Sequence, residues 1–215
     1  MNTPVTKSIS VHRRSAATQQ GVSLIEVLVS VLILSVGLLG VAGLQAAVAK
    51  YKINTWSRAA ISTLYADLAD RVRMNSDVAG ANFITGISEP SLYVLSGTWS
   101  TQQAATLTTP SPNCETASCT TAERAAYDMS IWRQRVRAGL PQGAALISGD
   151  RRDGINMTLM WFDKGFTDKG QASDSTLVSA LACTGAETGM ARQSCCPAAS
   201  SAPVGVRCAN FSFIP

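Results

Sequence analysis

The sequence predicts an α+β fold. A long N-terminal α-helix, membrane-spanning in its first half, packs its second half on a small antiparallel β-sheet head with a second helix. Three observations predict this. An apolar run follows Glu26, and the next charged residue is Lys50. Beyond Lys50 an apolar stripe recurs at helical spacing, and no proline occurs between Val22 and Asp77. After residue 140, short alternating segments separated by Gly, Asp and Pro read as strands and turns.

The apolar run is taken first. From Val27 to Leu44 every residue is apolar, small or Ser. The 23 residues between Glu26 and Lys50 would form a helix of about 34 Å, enough to cross a bilayer core. Lys7, Arg13 and Arg14 precede it with no intervening acid, which predicts a cytosolic N-terminus and an exported C-terminus. A cleavable secretory signal is the rival, and Ala47-Val48-Ala49 resembles its cleavage site. The run is longer than the ~7–15 residues usual for such a signal, and an acid at its start is foreign to one. Gly37, Gly40 and Gly43 lower helix propensity by up to ~1 kcal/mol each. Local softness and close packing of neighbouring helices both explain them.

The helix is expected to continue to about Asn75. Ile53, Trp56, Ala60, Ile61, Leu64, Leu68 and Val72 form one stripe, expected to pack in the core of the head. Tyr93 to Leu95 reads as a short strand, and "TPSPNCETASC" as an exposed loop pinned by a disulfide. Thr120 and Glu123 have capping-box spacing and start a second helix over 121–139, which Pro141 ends. Ala144 to Ser148 is a strand, "GDRRDG" a turn, and Ile155, Met157, Leu159 and Trp161 alternate on a strand with one buried face. Arg207 to Ile214 makes the last strand. Arg133, Arg135, Arg137, Arg151 and Arg152 read as solvated rather than as a binding surface.

Charge and cysteine usage exclude several functions. Of 18 basic residues three lie in the leader, and the other 15 face 14 acids. A nearly neutral exported part lacks the electrostatic footprint of a nucleic-acid binder. Cys114, Cys119, Cys183, Cys195, Cys196 and Cys208 all lie beyond the apolar run, an even number that suggests disulfides in an exported domain. Spacing alone does not choose their pairing, although a local Cys114–Cys119 loop is the easiest to close. No C-x-x-C pair exists, and the only histidine, His12, is in the leader. No metal or cofactor is implied, and a Ser-His-Asp or Cys-His site in the exported part is impossible.

"GVSLIEVLVSVLILSVGLLGVAGLQ" resembles the N-terminus of type IV prepilins: a Gly, a hydrophobic first mature residue, Glu as the fifth mature residue, then an apolar helix. The resemblance implies cleavage between Gly21 and Val22 by the prepilin peptidase/N-methyltransferase, and methylation of the new amine of Val22. It gives Glu26 a role in assembly. A carboxylate at the membrane is costly, and Glu26 would pair with the Val22 amine of a neighbouring subunit. A plain Glu at a helix N-terminus is the simpler reading.

Further on, Asp67, Leu68, Arg71, Arg73 and Asn75 match a D-L-x-x-R-x-R-x-N helix end. Trp132, Val136, Leu140, Pro141 and Gly143 match W-x-x-x-[VL]-x-x-x-L-P-x-G, and Trp161 and Asp163 match Trp-x-Asp. These resemble the minor pilins of the PilV, or type IV pilus modification, family. The resemblance implies a leader 1–21, a transmembrane and filament-core helix 22–49, an amphipathic helix 50–76 and a periplasmic head 77–215. It implies a single-pass inner-membrane protein that enters the type IV pilus, at its tip, and helps prime assembly. Its partners would be other minor pilins, the major pilin, a tip adhesin and inner-membrane lipids. A minor pseudopilin of a type II secretion system is the alternative, and an anchored exported enzyme a more distant one. Residues 79–120 and 168–202 match no motif.

Overall fold

The computed structural model describes residues 21–81, 90–168 and 176–215. The chain divides into two compact units, 1–49 and 50–215. Helix α1 spans Leu24–Met74, and a 3-10 turn follows at Ser76–Val78. The head adds α2 (Trp99–Ala104), α3 (Thr121–Gly139), β1 (Ala144–Asp150), β2 (Gly154–Phe162), β3 (Ala182–Cys183), α4 (Gly189–Ser194), β4 (Cys196–Pro197) and β5 (Val206–Phe213). The main sheet is antiparallel in the order β1-β2-β5, and β3 and β4 form a short parallel pair. The fold is therefore α+β and pilin-like, a long N-terminal helix with a small antiparallel sheet.

Ile61, Leu64, Leu68 and Val72 of α1 are buried with Trp132 and Val136 of α3 against one face of the sheet, formed by Ala145, Ile147, Ile155, Met157 and Leu159. Helical spacing puts the four α1 residues on one side, and strand alternation puts the odd-numbered β2 residues opposite them. The side chain of Ile53 lies outside the described residues. Trp56 does not join this core: it is 66% exposed, and Ala69 is buried instead.

Strand β2 was expected to have one buried face, but both are covered. Met160 is buried in a second cluster with Trp99, Ala144, Cys196, Val206 and Cys208. The cover comes from α2 and from the cystine-linked segment after β3. Neither element carries enough periodic sequence to announce itself. Tyr93 to Leu95 is not a strand either: one bridge joins Leu95 to Ile147. Gln102 caps the same edge of β1, its side-chain amide accepting from Ala145 N–H at 3.1 Å and donating to Ala145 C=O at 2.8 Å. Within the arginine group, Arg137 donates to the carbonyls of Gln102 and Ala105, Arg135 pairs with Asp67, and Arg152 pairs with Asp153.

A polar lock joins the end of α1 to α3. Arg71 bonds Asp67 at 3.0 Å and Asp128 at 2.6 Å. Asp128 also accepts from the Tyr93 hydroxyl at 3.2 Å, which in turn accepts from Asn75 at 3.0 Å. The Trp132 indole N–H donates to the Leu64 carbonyl at 2.8 Å. Thr120 and Glu123 form the expected capping box at the start of α3. At its end, Gly143 N–H closes a turn on Leu140 C=O at 3.0 Å, with Pro141 supplying the first central residue. A Cβ on Gly143 would run into the Val136 carbonyl oxygen, which accounts for the Gly of the L-P-x-G motif.

Two outcomes are expected. Gly143→Ala should destabilise the head by about 1–3 kcal/mol, read as a lowered thermal midpoint; an unchanged midpoint would refute the close approach. Burial, with the Asp128 carboxylate adding, pushes the Tyr93 phenol up from 10.0 to about 12, against the Asn75 hydrogen bond and Arg71. The folded head holds the protonated phenol, so this stabilisation is whole below pH 10 and is lost as pH rises through about 12. Alkaline titration of tyrosinate absorbance should show a late step that Tyr93→Phe removes.

Candidate functional site

The site predicted from sequence lies at the start of α1. Ser23 caps the helix: its hydroxyl and carbonyl oxygens accept the Glu26 N–H at 3.3 and 3.0 Å. This places Glu26 in the first turn, where the N-terminal end of the helix dipole favours a carboxylate. The carboxylate has no ion-pair or hydrogen-bond partner among the described residues. The helix terminus thus favours its charge, the simpler of the two readings of Glu26.

Residues 21–49 are exposed along their whole length. Leu24–Ala49 has a mean hydropathy of 2.6, and none of it is buried. Large apolar side chains stand open around the whole helix, among them Leu28 at 61%, Ile33 at 65% and Leu39 at 73%. A monomer in water does not sustain such a surface. Length and composition suit a membrane span; apolar neighbours in an assembly would satisfy the same surface. Ser30 and Ser35 hide their hydroxyls by donating back to the Glu26 and Leu32 carbonyls, each at 2.7 Å.

The glycines here answer no local demand of the fold. A Cβ at Gly21, Gly37, Gly40 or Gly43 would meet nothing within 4 Å. Helix α1 runs through the last three without interruption. Within the described residues, nothing at these positions would exclude a side chain. Residues 1–20, with Lys7, His12, Arg13 and Arg14, lie outside the described residues.

The six cysteines are brought together in pairs: Cys114–Cys119, Cys183–Cys195 and Cys196–Cys208. The first closes the loop ahead of α3. The other two use adjacent cysteines to tie the segment from β3 to β5 together. Asn210 on β5 reinforces this knot by donating to the Arg192 and Cys195 carbonyls at 2.9 and 2.8 Å. Among the described residues no His, Cys, Asp and Glu cluster is arranged to hold a metal. Sequence reasoning passed over Gln102 and Asn210 and took Tyr93 for a strand residue. Each acts through a partner far along the chain, and no local pattern reports that.

Residues 17–42 match the family model of the prokaryotic N-terminal methylation motif. The matched stretch holds Gly21, Val22, Ser23 and Glu26 and the first part of α1. No curated protein and no solved structure matches the chain. The motif indicates a type IV pilin or pseudopilin, anchored by its apolar helix, processed by a prepilin peptidase and assembled with other pilins.

The knot generates a prediction. Thiol labelling of the native protein should modify none of the six cysteines, and reduction should expose all of them. Replacing Cys196 and Cys208 together by Ser should cost about 2–4 kcal/mol of head stability in denaturant unfolding. Full labelling without reduction would contradict the pairing.

Proposed function

We propose that this chain is a minor pilin of a type IV pilus, acting with other minor pilins at the tip to prime assembly. The observation that supports it best is the capped, wholly exposed apolar helix, led by Gly21-Val22 and carrying a free Glu26 carboxylate. Peptidase removal of residues 1–21 would leave a methylated ammonium at Val22, close to the end of that helix. In a filament the Glu26 of one subunit then meets the Val22 ammonium of the next, while the apolar surfaces cover each other. The leader would stay cytosolic and the head periplasmic until the subunit leaves the inner membrane.

The role is structural rather than catalytic. The Glu26–Val22 pair supplies register and has no chemistry to perform. Nothing around Gly21 excludes a side chain, so the need for a small residue there would come from the peptidase. The pilus is favoured over a type II secretion pseudopilus by the Trp132-to-Gly143 helix end and the Asp67-to-Asn75 segment, which resemble pilus modification proteins. Those residues build the lock between α1 and α3, so the resemblance falls on the framework of the head.

The test compares the membrane pool with sheared surface filaments. Mature protein should begin at methylated Val22, and replacing Gly21 by a bulky residue should leave the precursor in the membrane. Glu26→Gln should insert and be cleaved normally, yet enter filaments poorly, since a desolvated ammonium without its partner costs roughly 3–5 kcal/mol. Normal incorporation of Glu26→Gln would refute the charge pairing, and a mature start at Lys50 would refute the prepilin reading.

A further inference from the structure

Trp56 is the one tryptophan of the four that the fold leaves in the open. Trp99, Trp132 and Trp161 are 5%, 0% and 7% exposed, against 66% for Trp56. Its indole N–H donates to the Gly139 carbonyl at 3.3 Å, which fixes the ring while leaving most of it uncovered. Beside it, Ala59, Ala60, Thr63 and Leu64 line an open, mostly apolar groove of about 640 Å³, whose lining also includes the Asp67–Arg135 ion pair. Lys52, one turn before Trp56, is exposed, and so is Arg58 on the opposite side of the helix. Neither forms an ion pair among the described residues. From Lys50 to Ala66 the chain carries three charges, all positive.

This surface begins within a few residues of the apolar span that ends at Ala49. Neither water nor a hydrocarbon core suits it. An indole edge and an alanine-lined groove seek apolar cover, while Lys52 and Arg58 seek anions. The headgroup layer offers both: tryptophan anchors there, and long basic side chains lay their stems along the apolar boundary with their charges among phosphates. Near an anionic bilayer each basic residue adds about fivefold in affinity. A lone exposed tryptophan would be unremarkable. A fixed indole, an apolar groove and unpaired cations together, next to a span, specify a chemistry.

We propose that Trp56 and its groove, with Lys52 beside them and Arg58 across the helix, form a collar that seats on anionic phospholipid headgroups while the subunit waits in the membrane. This rests on the membrane-anchored reading of the apolar helix, and only on that part of the proposed function. The collar would hold the head against the bilayer and release it when the subunit is drawn into a filament.

The three buried tryptophans make the test selective. Full-length protein is placed in nanodiscs of phosphatidylcholine, with or without phosphatidylglycerol, containing lipids spin-labelled near the headgroup. With phosphatidylglycerol, the lipid label should quench the emission that Trp56→Phe removes, and aqueous acrylamide should not. K52E/R58E, or 0.5 M salt, should cut that quenching by about half or more. Acrylamide quenching of Trp56 equal in both nanodiscs would overturn the collar. So would protection from acrylamide without lipid quenching, which would mean that another protein surface covers the groove. Recovery of the protein outside the nanodiscs would instead overturn the membrane span itself.

Discussion

The head depends on the charge shared between Arg71 and Asp128. Arg71 is largely buried between Asp67 and Asp128, and Asp128 is buried with it. Removing Arg71 would leave the buried Asp128 carboxylate without a cation, at a cost of about 3–5 kcal/mol, whereas removing Asp128 would leave Arg71 paired with Asp67. Several polar groups nearby bond to this pair or to its partners. The Tyr93 hydroxyl serves Asp128, Asn75 serves Tyr93 and the Thr121 carbonyl, and Arg135 completes the partners of Asp67. Burial tends to lower the Arg71 pKa, but Asp67 and Asp128 outweigh it and hold its proton more firmly than usual. Apolar packing would tolerate α1 rotated or shifted by part of a turn against α3. The polar lock, with the Trp132–Leu64 bond, accepts one register.

That division of labour runs through the molecule. Below Met74 the helix is fixed to α3 by polar contacts and to the sheet by apolar ones. Before Lys50 its described residues are exposed, presenting an apolar surface to be covered and a charge to be matched. An assembly protein built this way keeps a folded head whether or not its partners are present, and leaves its long apolar helix to be satisfied from outside.

How much of this was legible depended on distance along the chain. Helix α3 was readable at both ends, because Thr120, Glu123 and Pro141 act within one turn of the boundaries they set. The β1–β2 hairpin was readable from "GDRRDG", where Asp150 accepts from the Arg152 and Asp153 N–H groups, each at 2.8 Å. The place of Glu26 in the first turn of α1 was readable because a lone acid leading an apolar run marks a helix start. Trp56 was misread because a helical period identifies a face without saying how far the core extends along it. Tyr93 was misread because a β-prone residue beside Val and Leu looks like a strand, whereas its hydroxyl bonds groups 18 and 35 residues away. The second buried face of the sheet was hidden because its cover is held by cystines, whose pairing spacing alone does not determine.

The adjacency of Cys195 and Cys196 has a topological consequence. Side chains of consecutive residues in extended backbone point to opposite sides, so the two sulfurs tie different neighbours, Cys183 behind and Cys208 ahead. The result is two closed rings, 183–195 and 196–208, joined at a single peptide bond. A backbone break inside either ring leaves both ends covalently held. Between Cys183 and Cys208, only a break between the two adjacent cysteines themselves would part β5 from the preceding ring. The segment from β3 to β5, with little regular structure of its own, is thereby held covalently on both sides of any break within a ring.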